Sequence, residues 1–175
     1  MDYVSRRQCI LPIGPIARLS PSVLPQRIVI ATLATLIDYS YEETAALLGI
    51  HMDPRTRLPI LPVGGGVNPL QLTYPLWQVG WKAIPFVTRT AENVSAAKEL
   101  AALPTVEEIK ALLPGRLALL GYVDADPAVG PHALAWDGEQ AIDCSDQSFV
   151  SLDAVPIDFA LVLERISQQA HSMGQ

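Results

Sequence analysis

Apolar positions crowd one early segment of the chain. From Arg27 to Ile37 the sequence is apolar nearly all round, with no period-two alternation. Such a stretch is a central buried helix or a buried strand. Pro25 just ahead, the helix formers Ala31 and Ala34 inside and Asp38 at the close predict the helix. Ser40-Tyr41-Glu42-Glu43 is a capping-box pattern, a hydroxyl at the N-cap and a glutamate three residues on, and it predicts a second helix ending at Gly49. Residues 50–67, with Pro54, Pro59, Pro62 and Gly64-Gly65-Gly66, read as a long connection. Asn68-Pro69 predicts a further helix start, with a kink or early break at Pro75 and Trp77 and Trp81 as core or cleft-wall residues. Thr105-Val106-Glu107-Glu108 is a second capping box, and its helix ends at Pro114-Gly115.

Strand signals fill the rest. Trp81 to Val87, Leu117 to Val123, His132 to Trp136, Gln140 to Asp143 and Phe159 to Glu164 read as strands, and Asp137-Gly138 between two of them is a hairpin turn dipeptide. Residues 88–103 are an alanine-rich stretch without a firm assignment, in which a short helix near Ala96 to Ala101 is one reading. Helical segments early and antiparallel strands late give an α+β chain. The organisation expected is an N-terminal arm over residues 1–24, marked by Pro12, Pro15 and Pro21, one domain over 25–166, and a polar tail over 167–175.

Composition narrows the class. The chain has 175 residues, half of them hydrophobic, with 15 prolines and a formal net charge of -6. That length suits one domain with one core, and the acidic balance argues against a nucleic-acid partner. No apolar run reaches the ~20 residues of a spanning helix. Pro12 and Pro15 interrupt the stretch after Arg6 and Arg7, which therefore does not read as a secretory signal. Two cysteines, Cys9 and Cys144, are too few for a disulfide framework. A single bridge between them is left open but not predicted, and reduced thiols in a cytoplasmic protein are the simpler expectation. Nothing calls for a cofactor. His51-x-Asp53 lacks the close partners of a metal site, and Gly64-Gly65-Gly66 lacks the Lys-Ser/Thr of a phosphate-binding loop.

The chemistry concentrates in Gly130-Pro131-His132-Ala133-Leu134-Ala135-Trp136-Asp137-Gly138-Glu139-Gln140-Ala141-Ile142-Asp143. A hairpin here brings His132, early on one strand, beside Asp143, late on the next. The carboxylate then fixes the imidazole tautomer and leaves the other ring nitrogen as a general base. A satisfied, merely structural His–Asp pair is the plainer alternative. Cys144 alternates away from Asp143 and reads as a small core residue; only a bulge would turn it towards His132.

This segment resembles the His and Asp hairpin of papain-like cysteine peptidases, in particular the small bacterial C39-type that trims leader peptides at double-glycine sites. The resemblance covers roughly residues 20–165 in order and pattern. It implies a papain-like α+β fold with a nucleophilic cysteine at the start of the buried helix, where the helix dipole and the histidine lower its pKa. Ile28 stands at that position. Ser22 and Gln26 are the candidate oxyanion-side residues, and Thr32 and Thr35 are the hydroxyls of the helix. An alkyl side chain cannot attack a carbonyl. The leading expectation is therefore a domain without its nucleophile that binds a peptide or protein segment in the ancestral cleft. A hydrolase or acyltransferase using His132 as base, and a small interaction or immunity-type protein with no site, are the alternatives. Homodimerisation is left open.

Overall fold

The computed structural model describes residues 24–60, 67, 69–88, 103–123 and 131–166. The apolar segment is a helix, α1 (Leu24–Ile37), starting three residues earlier than its pattern suggests. Pro25 lies in its first turn, where an N–H has no intrahelical acceptor to lose. Asp38 ends it at φ 62, a left-handed conformation that a short polar side chain tolerates. The two capping boxes form as read. Ser40 accepts from the Glu43 N–H at 3.1 Å and opens α2 (Tyr41–Leu47), and Thr105 does the same for Glu108 ahead of α4 (Val106–Leu112).

Between them the long connection is corrected. It carries a two-stranded ribbon, β1 (His51–Met52) and β2 (Pro59–Ile60). Asp53 holds the turn, accepting from the Arg55 and Thr56 amides. The next element begins as a 3-10 turn, Pro69–Leu72, and becomes α3 at Thr73–Gln78. Pro75 falls in the first turn of α3 and is tolerated there, so the change of helical type precedes the proline. Asn68, the Gly64-Gly65-Gly66 run, residues 1–23 of the expected 1–24 arm, residues 89–102 of the alanine-rich stretch and the 167–175 tail lie outside the described residues, while Leu24, expected in the arm, is the first residue of α1.

Among the described residues, six strands form one antiparallel sheet. They are β3 (Trp81–Val87), β4 (Leu117–Val123), β5 (Pro131–Trp136), β6 (Ala141–Asp143), β7 (Ser148–Val150) and β8 (Phe159–Arg165), in the order β3-β8-β4-β5-β6-β7. The fold is thus mixed helix and sheet. Its helices are not confined to the N-terminal half, since α4 lies between β3 and β4 in the chain.

The sheet separates two cores. Leu119, Ala133, Ala135, Leu161 and Leu163 pack with α1. Their neighbours Ala118, Leu120, Leu134, Trp136, Ala160 and Val162 pack with Ile109 and Leu113 of the α4 region and with Val155 and Ile157. Strands covered on both faces read as continuous apolar runs, which is why β4 and β8 show no alternation in the sequence. Helix α1 crosses β5 and β4 and also packs on α2, and this accounts for its apolar circumference. Alanines at 133 and 135 let it sit close to β5. Trp136 closes the other side by donating its indole N–H to the Leu113 carbonyl at 2.9 Å.

Candidate functional site

The β5–β6 hairpin is pinned at its turn. The Asp137 carboxylate accepts from the Glu139 and Gln140 amides, and the Asp137 N–H donates to the Gln140 carbonyl at 3.2 Å. Gly138 adopts φ 107 against the backbone of Gly115, whose N–H donates to the Gly138 carbonyl at 2.9 Å. A side chain there would meet both a left-handed backbone and a close neighbour. With Trp136 opposite Ala141, the register places Leu134 opposite Asp143. His132 is therefore the diagonal neighbour of Asp143, within reach of a carboxylate but not directly across from it.

The contact forms. His132 Nε2 lies 2.7 Å from Asp143 Oδ2, and both side chains are largely buried. The other carboxylate oxygen accepts from the Ser145 N–H at 2.8 Å and from the Ser145 hydroxyl at 2.6 Å. The turn after β6 is closed by the Gln147 N–H on the Asp143 carbonyl. Burial is the largest single influence on the Asp143 carboxyl and opposes ionisation. The hydrogen bonds from His132 and Ser145 together outweigh it and hold the group below the usual carboxylate range. An ionised carboxylate only accepts, so Nε2 carries the proton in the neutral imidazole and Nδ1 carries the lone pair. The ring of Tyr122, directly opposite His132 on β4, meets the imidazole edge-on with centroids 5.5 Å apart.

Tyr122 and Ser145 are the members of this site that sequence reading missed. Ser145 had a signal: Asp143-Cys144-Ser145 is an Asx-turn spacing, an aspartate accepting from the amide two residues on. Tyr122 had none, because only the β4–β5 register brings it to His132.

The structure brings the predicted residues together unevenly. His132 and Asp143 meet. Ile28 lies in the first turns of α1 and is buried in the core shared with Ala133 and Ala135. Gln26 belongs to the first turn of the same helix, its side chain outside the described residues, and Ser22 and Cys9 lie outside them altogether. Alternation along β5 and β6 assigns His132 and Asp143 to the face of Leu134 and Trp136, opposite the face on which α1 packs. A meeting of His132 with the start of α1 has to happen around the end of β5, not across the middle of the sheet.

The remaining candidate nucleophiles are constrained. Cys144 is fully buried on the α1 side, as its alternation predicts, with its sulfur 3.8 Å from the Thr35 hydroxyl. The expectation of a reduced thiol is corrected, since Cys144 is disulfide-bonded. It supplies no thiolate for an unconventional attack. Thr35 donates to the Ala31 carbonyl at 2.9 Å, and the fully buried Thr32 hydroxyl has no hydrogen-bond partner among the described residues. Trp81 is buried as expected, but Trp77 is not, being 61% exposed and stacked on Tyr74. Among the described residues no group of three or more histidine, cysteine, aspartate or glutamate side chains is placed to hold a metal ion, and no helix is long and apolar enough to cross a membrane.

No family model, no curated protein and no solved structure matches the chain.

Proposed function

We propose that the chain is a papain-like, C39-type domain that has lost its nucleophile and binds a peptide or protein segment between the start of α1 and the His132 end of β5. The observation that carries this reading is the oriented His132–Asp143 pair, found in a chain whose sheet-packed helix offers Ile28 and no thiol in its first turns. The pair has the base and its orienting carboxylate, with Ser145 as a further support for the carboxylate. Nothing in the first turns of α1 can form a covalent bond to a carbonyl carbon. Catalysis by covalent acyl transfer needs both halves, so the reading is binding without turnover. It requires Ile28 and His132 to meet around the N-terminal end of β5.

A synthetic leader peptide with a double-glycine site is the direct probe. Titrated into the wild-type chain it should bind saturably, with mass spectrometry showing intact peptide after prolonged incubation. Absence of binding counts against the reading. Cleavage that disappears in His132→Ala would replace it with the hydrolase alternative, in which Nδ1 of His132 takes a proton from water.

A further inference from the structure

We propose that the start of α1 holds a carboxylate on the Nε–Nη2 edge of Arg27, with the Tyr41 hydroxyl as a further donor. Both of these Arg27 nitrogens are buried, and neither has a hydrogen-bond partner among the described residues. They lie on one edge of the guanidinium, where two parallel N–H groups match the two oxygens of a carboxylate. Tyr41 is only 2% exposed, and its hydroxyl also lacks a partner among the described residues.

The two groups sense each other. Burial lowers the Arg27 value and the Tyr41 phenol opposes that shift, while burial pushes Tyr41 up to about 12 against the pull of Arg27, with Glu42 adding to the rise. The phenol therefore stays protonated and able to donate. No carboxylate among the described residues forms an ion pair with Arg27, and the first turn of α1 contains no acidic residue. Among the described residues, neither the positive end of the helix nor the guanidinium thus has a counter-charge. A water molecule would satisfy the donors but not the charge. A carboxylate, which is planar, accepts only and carries the opposite charge, satisfies both. The nitrogens are shielded from bulk solvent, so entry requires a local opening at the helix start.

The inference does not rest on the peptide-binding reading, and the test separates them. Isotope-labelled full-length protein is titrated with sodium acetate, with acetamide as the neutral isostere, while the Arg27 Nε–H signal is followed. A saturable shift with acetate and none with acetamide is expected. Arg27→Lys keeps the charge but loses the paired edge and should weaken acetate binding by about tenfold or more, and Tyr41→Phe should weaken it less. A linear shift equal to that of sodium chloride, or unchanged affinity in Arg27→Lys, overturns the proposal. Should Arg27→Lys not fold, the wild-type titration and Tyr41→Phe decide. A capped trialanine with a free carboxyl terminus and a fully capped peptide with one glutamate then tell a terminal carboxylate from a side-chain one. Leader-peptide binding with no acetate effect would sink this inference and leave the peptide reading standing.

Discussion

Gly121→Val is expected to cost about 3 kcal/mol or more of stability, the upper range for overpacking a filled site. Gly121 sits in β4 directly opposite Phe159 of β8, and the aromatic ring lies over the glycine where any Cβ would stand. The ring covers the gap left by a residue without a side chain, an arrangement that steadies glycine in a sheet. Phe159 also packs against the core beneath α1. It can yield only by leaving that contact or by spreading the β4–β8 pair, which joins β3 and β8 to the rest of the sheet. Urea unfolding of the full chain measures the loss. Pairing the change with Phe159→Ala removes the obstructing ring, so the double variant should lose less than the two single losses added. A Gly121→Val variant within about 0.5 kcal/mol of wild type, the range of an ordinary surface change, would show that the ring does not rest there.

Asp143→Ala carries the second large effect. It strips the acceptor from His132 Nε2 and, together, from the Ser145 amide and hydroxyl. Donors left unpaired in a part-buried site cost about 1–3 kcal/mol each when no water replaces the partner. Ser145 and His132 retain some solvent access, so a total of about 2–4 kcal/mol is expected. The pH dependence has a definite sign. The folded carboxyl lies below its ordinary value, so its contribution is fully present above the unfolded value of about 3.9 and is lost as pH falls through the lower folded value. The stability gap between wild type and Asp143→Asn should therefore be widest near neutrality and close on acidification. A gap that stayed constant down to strongly acid pH would mean that the carboxylate charge plays no part.

How far the sequence announced this molecule depends on the kind of signal each element carries. Local signals held. The two capping boxes, the Asp137-Gly138 turn and strands such as Trp81–Val87 and Leu117–Val123 are set by nearest neighbours along the chain, and the structure shows them. Features set by pairing did not show. The β7 strand has three residues, with Phe149 exposed at the sheet edge, and it exists because Asp143 turns the chain back on β6. The β1–β2 ribbon was hidden by its prolines. Two-faced burial of the sheet erased the alternation that would have told which side of β5 belongs to α1. The His132–Asp143 contact was legible from the hairpin spacing. Tyr122 and the position of the pair relative to α1 were not, because both depend on register and on which face each residue takes.

That relative position is the point on which the functional reading turns, and a thiol placed at residue 28 reports on it. In Ile28→Cys, the rate of alkylation by iodoacetamide is measured against pH. If the start of α1 and His132 border one cleft, the thiol pKa should fall well below its ordinary value of about 8.5. Adding His132→Ala should raise it again. A thiol of ordinary or raised pKa, indifferent to the residue at 132, or one that no alkylating agent reaches, would contradict the papain-like arrangement and leave His132–Asp143 as a structural pair on the far face of the sheet.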